Sequence, residues 1–224
     1  MSSSRSAWNN VTIDSDTKHL ILCEGRDDKA FLSSFLDSGF LFPYDRDSVQ
    51  VIQADGVDNL RKMVLALANM DGFQQLCSML IIRDADDNIQ SAQDSVKGAF
   101  AAALLPVPQT EYRWARSGTI KTAFLLMPAC SSTSRSGSLD NLCWDILSEK
   151  HGDSIKEEVN GFIGSLEADG KRTYVHKSKA LVHTYFSATE GLIASGVGRA
   201  AKAGAFDWNS EKLNPLRDFI KGMI

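Results

Sequence analysis

The stretch CSMLIIRDADDN, residues 77–88, decides the fold of this chain. Its first half is apolar almost throughout, and a short apolar run is typical of a strand buried on both faces of a sheet. Its second half is acidic, with Asp84 and Asp86 spaced as Asp-x-Asp. The stretch HLILCEGRDD, residues 19–28, repeats this arrangement, because an apolar run again ends in acidic residues. We therefore expect two buried strands that carry carboxylates at their carboxyl ends.

The segments around these two strands alternate between strand and helix patterns. Apolar runs at 49–53 and 122–127 predict two further strands, and residues 112–116 predict a short extra one. Apolar residues at helical spacing predict three helices, over 27–38, 57–70 and 89–104. This order of elements predicts an α/β domain with a mainly parallel sheet that is flanked by helices on both faces.

The sequence pattern changes after Pro128. A loop of small polar residues, 129–138, is followed by segments with helical spacing at 139–150, 154–167, 178–189 and 211–223. The stretch SGVGRAAKAGAF, residues 195–206, is too rich in glycine and alanine to assign. We predict a polar N-terminal arm over 1–18, an α/β core over 19–128, and a mainly helical C-terminal extension over 129–224 that packs on the core.

The composition is that of an ordinary globular protein. Hydrophobic residues make up 43% and charged residues 23% of the 224 positions, which is enough apolar material for a buried core. No apolar run is long enough for a transmembrane helix, and the N-terminus lacks the apolar stretch of a signal peptide. A net charge of −4 gives no basic footprint, although a cluster of cation-binding carboxylates also makes a chain acidic.

The cysteines indicate a reducing compartment. They form no C-x-x-C pair and are expected to be small buried residues in a cytoplasmic protein. They lie at Cys23, Cys77, Cys130 and Cys143.

The acidic strand ends suggest a metal site. Ligands of parallel α/β sheets bind at the carboxyl ends of the strands, and an extended Asp84-x-Asp86 segment would point both side chains the same way. Like charges held close together repel each other unless a cation lies between them, and carboxylate oxygens suit Mg²⁺ or Mn²⁺. Gly25 would let the backbone turn sharply after the first strand.

A simpler interpretation of the same acids is helix capping, since aspartate and asparagine are common at helix starts. Asp27 or Asp28 could cap the first helix, and Asp87 or Asn88 could cap the helix after the third strand. The occurrence of two acidic loops at one edge of the sheet favours the metal site over capping alone.

The pieces LILCEGRDDKAFL and MLIIRDADD resemble the TOPRIM domain, which topoisomerases, primases, small RNA-maturing nucleases and OLD-family nucleases share. The form E-G-x-x-D-x-x-F-L looks most like the OLD branch. The stretches ADGVDNLRKMV and GSLDNL look like a small TOPRIM family related to OLD nucleases. The core of the resemblance covers residues 19–128. It implies a TOPRIM-like sheet and metal-dependent phosphoryl-transfer chemistry.

The resemblance implies a role for each motif residue in a nuclease that hydrolyses phosphodiesters of DNA or RNA with Mg²⁺ or Mn²⁺. Glu24 would be a metal ligand or general base, and Asp84 and Asp86 would be metal ligands. Asp28 matches the acid four residues after the glutamate. Asp140, in GSLDNL, stands where the related family tends to have glutamate, so a carboxylate is kept with a shorter reach.

Two lysines are further catalytic candidates, because a cation near the leaving oxygen would assist hydrolysis. Lys177 and Lys179 lie in HKSK, at the start of a predicted helix.

Other functions and partners stay open. OLD-type nuclease domains are often fused to, or encoded beside, an ABC-like ATPase in phage defence. This chain has no G-x-x-x-x-G-K-[ST] motif, so the resemblance implies a separate ATPase partner besides nucleic acid. A homo-oligomer is also open, and no membrane partner is expected. The alternatives are a D-x-D phosphatase and a non-catalytic TOPRIM-like subunit that binds nucleic acid or a partner.

Overall fold

A single five-stranded sheet forms the centre of the computed structural model, which describes residues 11–128, 135–149, 154–170 and 172–224. Its strands lie in the order β2-β1-β3-β5-β4. The first four in this order run parallel, and β4 pairs antiparallel with β5. The strand bounds are β1 His19–Cys23, β2 Val49–Gln53, β3 Ser78–Asp84, β4 Ala115–Ser117 and β5 Ile120–Met127. The predicted α/β class with a mainly parallel sheet is confirmed.

Helices connect the strands and make up most of the second half of the described chain. The α-helices among the described residues are α1 Arg26–Leu36, α2 Pro43–Asp47, α3 Leu60–Ala68, α4 Ile89–Ala102, α5 Leu139–Leu147, α6 Ser154–Ala168, α7 Lys177–Ala188, α8 Val197–Lys202 and α9 Asn214–Lys221. Short 3₁₀ turns lie at Val57–Asn59, Phe73–Gln75 and Glu211–Leu213. The predicted helical C-terminal part is therefore confirmed. Each described helix is too short or too polar to span a lipid bilayer.

The sheet is the middle of three layers. Side chains alternate between its faces, so that in β3 Leu80 and Ile82 enter one core while Met79 and Ile81 enter the other. The first core also receives apolar residues of α1 and of α5 to α9. The second core is closed by α3 and α4. The C-terminal helices thus cover one whole face of the sheet together with α1.

Several element boundaries differ from the prediction for local reasons. The extra strand lies at Ala115–Ser117, where it pairs with the start of β5. The helix expected over 211–223 is a 3₁₀ turn followed by α9, because Pro215 lies in the first turn of α9, where a missing N–H is tolerated. The unassigned stretch contains the short helix α8.

The described part of the N-terminal arm, residues 11–18, leads into β1. Residues 1–10 lie outside the described residues, and the following segment lies against β2. There the side chain of Gln50 donates to the Thr12 carbonyl at 2.9 Å and accepts from the Asp14 N–H at 3.2 Å.

Cys23 and Cys143 are buried, as predicted. Cys77 is exposed, contrary to the prediction, because it precedes β3 at the surface. Cys130 and residues 129–134 of the predicted loop lie outside the described residues.

Candidate metal centre at the carboxyl edge of the sheet

The two acidic strand ends meet at one edge of the sheet. Strands β1 and β3 are neighbours, and Cys23 at the end of β1 pairs in register with Ile82 of β3. Glu24 therefore follows β1 beside the end of β3, whose last residue is Asp84. The loop after β2 reaches the same place, because the Gly56 N–H donates to the Glu24 carbonyl at 3.0 Å.

Glu24 carries a buried oxygen whose hydrogen-bonding capacity is not used. Its Oε2 atom is buried and has no hydrogen-bond partner among the described residues. Burial raises the pKa of the Glu24 carboxyl, and the positive charge of Arg83 partly offsets that rise. An acid in this state gains from a nearby cation, since a cation would replace the lost hydration of the carboxylate.

Asp28 lies in the first turn of α1, directly after the Glu24-Gly25 pair. Its Oδ2 atom accepts the Gly25 N–H at 3.0 Å, which closes the start of α1. The capping interpretation therefore describes part of what Asp28 does. Burial raises the pKa of Asp28 to about 6 against the opposing effect of the Gly25 N–H, and the Glu24 charge adds to the rise.

The glycine at position 25 is explained by close approach and not by an unusual turn. Gly25 has φ −132° and ψ −178°, an extended conformation that any residue adopts. The predicted reason for this glycine is therefore wrong. A Cβ atom built at Gly25 would lie 3.1 Å from Asp28 Oδ2, so a side chain there would push the carboxylate away.

Asp84 links the end of β3 to the start of α5. Its Oδ1 atom accepts the Leu139 N–H at 2.9 Å. Burial raises the pKa of Asp84 to about 8, and the charges of Asp28 and Glu24 add to the rise. We call Glu24, Asp28 and Asp84 the acidic triad, since electrostatic repulsion connects them.

Asp86 does not continue the strand. Strand β3 ends at Asp84, and Asp86 has φ 52°, in the left-handed region. Two backbone hydrogen bonds of 2.9 Å with Gly137 fix this turn. The Asp86 carboxylate then pairs with Arg83, whose Nη2 donates to Asp86 Oδ2 at 3.0 Å. The extended Asp-x-Asp segment expected from the sequence is therefore wrong at its second residue.

Asp140 faces a different set of charges from the triad. It lies in the first turn of α5, and burial raises the pKa of its carboxyl. The charges of Lys179 and His183 oppose that rise, whereas Asp27 of α1 adds to it. Asp140 is thus close to Lys179, the second of the two candidate lysines.

The two lysines lie beside a small cavity at the start of α7. The cavity has a volume of about 250 Å³, and Asp86, Gly137, Lys177 and Lys179 are among the residues that line it. Lys177 forms an ion pair of 2.6 Å with Glu167. Of the two lysines, Lys179 is the one whose charge acts on a candidate metal ligand.

The sequence patterns do not single out three residues of this edge, and they suggest only a capping role for Asp27. Asp55 and Asp58 follow β2, and Asp58 raises the pKa of Glu24. Asp27 accepts the Gly198 N–H at 3.1 Å, which ties α1 to α8. Arg83 is buried beside the acids. Asp55 and Asp58 could have been found from the sequence, because VQVIQ is followed by ADGVD just as the other apolar runs are followed by acidic residues.

The carboxylates do not form a closed cluster. Among the described residues, no group of three or more His, Cys, Asp or Glu side chains is arranged to hold a metal ion. Within β3, Arg83 and Asp84 point to opposite faces of the sheet, and Asp84 Oδ1 accepts the Leu139 N–H. The donor set consists of oxygens, and Glu24 Oε2 is buried without a partner among the described residues. These two features fit a hard divalent cation.

Comparison with known proteins identifies the family of this chain. No curated protein and no solved structure matches the chain. A family model described as "Protein of unknown function (DUF3226)" matches residues 18–224, which include the whole sheet and the C-terminal helices. The chain therefore belongs to the DUF3226 family.

Proposed function

We propose that this chain is a divalent-metal-dependent nuclease that hydrolyses phosphodiester bonds of DNA or RNA. The observation that carries the proposal is the buried Glu24 Oε2 atom, which has no hydrogen-bond partner among the described residues. It lies at the edge where Asp28 and Asp84 are partly buried and have raised pKa values. The resemblance of LILCEGRDDKAFL and MLIIRDADD to the TOPRIM domain supports the same reading.

The energetics of the acidic triad favour a cation. Burying a carboxylate costs free energy, and three of them near one another repel as soon as they ionise. Repulsion among the ionised carboxylates lowers the stability of the fold, and ionisable groups with strongly shifted pKa values concentrate at functional sites. The residues that would hold Mg²⁺ or Mn²⁺ are Glu24, Asp28 and Asp84, because the Asp86 carboxylate is already paired with Arg83.

The chain's own groups have distinct tasks in this proposal. A bound divalent cation would supply a lowered pKa for water and would neutralise charge on the scissile phosphate. Glu24 Oε2 is free to accept a proton or to bind the cation. Lys179 provides positive charge near Asp140, where a leaving oxygen would gain negative charge.

Nucleic acid is the proposed partner. A cytoplasmic location, a separate ABC-like ATPase and a role in phage defence are proposed from the resemblance and composition.

A cleavage assay with matched variants tests the proposal. Purified protein is incubated with mixed DNA and RNA in Mg²⁺, Mn²⁺ or EDTA. We expect cleavage that needs the metal and that falls by about 100-fold or more in Glu24→Gln and Asp84→Ala, as ligand loss predicts. Asp71→Asn is the control, because Asp71 is exposed in the turn that leads toward the start of β3, away from the carboxyl edge.

The other outcomes separate the alternatives. Equal cleavage by wild type and Glu24→Gln would contradict the proposal. Binding of Mn²⁺ without cleavage of any nucleic acid would indicate the non-catalytic subunit. Turnover of a generic phosphomonoester that Asp84→Ala abolishes would indicate the D-x-D phosphatase.

A further inference from the structure

We propose that Arg83 binds a phosphate of the nucleic-acid backbone at this edge and that Asp86 positions its guanidinium group. The inference rests on the proposed function and adds a residue that contacts substrate. It also gives Asp86 a different task from the metal ligation expected from the sequence.

The burial of Arg83 is the first argument. Its side chain is 6% exposed, and among the described residues it is the one buried residue of the Arg, Lys, Asp and Glu types. Its neighbours in β3, Ile81 and Ile82, show what a buried strand normally carries at such positions. Burying a guanidinium group costs free energy that an apolar residue would not cost, so stability does not explain Arg83.

The contacts of Arg83 are the second argument. Its Nε donates to the Asp84 carbonyl at 2.9 Å, and its Nη2 donates to Asp86 Oδ2 at 3.0 Å. The Asp86 backbone is in turn fixed by its paired hydrogen bonds with Gly137. The Asp84 carbonyl belongs to β3 and the Asp86 turn is fixed by Gly137, so both acceptors anchor the guanidinium group in a defined position. Among the described residues these two contacts use two of its five N–H donors, which leaves donors for a ligand.

The place of Arg83 is the third argument. Because Cys23 pairs with Ile82, the next position brings Glu24 beside Arg83, and the Arg83 charge lowers the pKa of Glu24. The two side chains form no ion pair among the described contacts, so the guanidinium group is near the acids but committed to Asp86. A phosphate that reaches this edge meets several carboxylates that repel it. A planar guanidinium fork beside them binds phosphate oxygens and offsets that repulsion.

Two binding measurements test this inference without relying on cleavage. Binding of a labelled single-stranded DNA oligonucleotide is followed by fluorescence anisotropy in Ca²⁺ at several salt concentrations. Binding of Mn²⁺ alone is followed by electron paramagnetic resonance. The variants are Arg83→Gln, Arg83→Lys and Asp86→Asn. Arg116→Gln is the control, because Arg116 is exposed and lies away from the carboxyl edge. In the antiparallel register of β4 and β5 it is opposite Lys121, near the start of β5.

A distinct pattern is expected if Arg83 binds phosphate. Arg83→Gln weakens oligonucleotide binding by about tenfold or more, as loss of a charge-assisted hydrogen bond predicts. It also lowers the slope of log affinity against log salt by about 0.7, the value for one phosphate contact on a single strand. Mn²⁺ affinity stays equal or rises, since a positive charge beside Glu24 is gone. Arg83→Lys restores the slope, and Arg116→Gln matches wild type.

Asp86→Asn separates a positioning residue from a metal ligand. If Asp86 positions Arg83, this variant weakens oligonucleotide binding and leaves both the salt slope and the Mn²⁺ affinity near wild type. A large loss of Mn²⁺ affinity in Asp86→Asn would overturn the role given to Asp86.

Three other results would overturn either the role of Arg83 or the proposed function. Equal affinity and slope in Arg83→Gln and wild type would overturn the inference. So would a joint loss of Mn²⁺ affinity, melting temperature and oligonucleotide binding that Arg83→Lys does not restore, because that result marks a structural residue. Wild-type protein that neither binds the oligonucleotide in Ca²⁺ nor cleaves nucleic acid would instead overturn the proposed function.

Discussion

Asp84 shows, at the scale of one residue, how a candidate site affects the stability of the fold. Burial raises its pKa to about 8 in the folded chain, whereas an ordinary aspartate has a value of 3.8. The folded state therefore holds a proton that the unfolded state has released at neutral pH. The sign follows from linkage, since stability falls with rising pH wherever the folded state binds more protons.

We predict that the free energy of unfolding, measured without divalent cations, falls between about pH 6.5 and pH 8. The slope is at most about 1.4 kcal/mol per pH unit for one proton. Asp28 contributes less in this window because its pKa is about 6. His19 acts in the opposite direction, because burial lowers its pKa in the folded chain and the unfolded chain therefore binds more protons at this residue. Urea unfolding in EDTA at several pH values measures the slope.

The Asp84→Asn variant assigns this slope to one side chain. The amide does not titrate, so the variant should unfold with a flatter pH dependence than wild type and should be more stable near pH 8. Asp71→Asn, with an exposed aspartate away from this edge, should keep the wild-type slope. Identical slopes for wild type and Asp84→Asn would contradict the assignment.

The positions of the acidic residues could be predicted from sequence, but several of their contacts could not. Glu24 and Asp84 follow apolar runs, and strand ends in a parallel sheet share an edge, so their placement follows from local pattern. Asp86 is different, because its left-handed turn depends on backbone hydrogen bonds from Gly137 in a distant loop. The surroundings of Asp140 likewise depend on where α7 packs.

At the scale of elements, the start of α4 could be predicted from the local sequence, whereas α8 depends on a contact with a distant part of the chain. Asn88 is the N-cap of helix α4, and its side chain accepts the Ser91 N–H at 2.9 Å, so a local cap marks the helix start as predicted. Helix α8 has glycines at its start, and glycine disfavours helix formation. Its stability comes from packing on α1, where Gly198 lies against Asp27 and Ala30. A local pattern contains no information on that contact.

We predict that Gly198→Ala destabilises the chain through this helix contact. A Cβ atom at position 198 would lie 2.7 Å from the Ala30 Cβ and 2.8 Å from Asp27 Oδ1. Relief of such overlap requires that α8 move away from α1, which should lower the free energy of unfolding by about 1–3 kcal/mol. Urea or thermal unfolding measures the change.

A second glycine provides the matched control. Gly161 lies within α6, and a Cβ atom there would meet no atom within 4 Å. Gly161→Ala should therefore stabilise the chain by about 0.5–1 kcal/mol, the usual gain of alanine over glycine in a helix. A loss of stability in Gly198→Ala no larger than the change in Gly161→Ala would show that the α1–α8 contact is not tight.

At the scale of the whole molecule, the sheet joins both halves of the chain. One face packs on α3 and α4, which both lie in the first half. The other face packs on α1 and on helices that follow Pro128. A sheet with one face mostly uncovered would expose Ile21, Leu80 and Leu125 to water, which is unfavourable for apolar side chains. The α/β strands and the C-terminal helices should therefore unfold together.

We predict that Ile146→Ala in α5 destabilises the strands as well as its own helix. Ile146 is fully buried in the core that also contains Leu80 and Leu125, and loss of a buried isoleucine side chain costs about 2–5 kcal/mol. Because the core is shared, amide hydrogen exchange in β1 and β3 should accelerate by the factor that corresponds to the loss in global stability. Phe162→Ala is the control, since that side chain is 55% exposed on α6 and should change stability by less than about 1 kcal/mol. If exchange in β1 and β3 stays at the wild-type rate while α5 amides exchange faster, the C-terminal helices form a separate cooperative unit and the shared core does not couple the two halves.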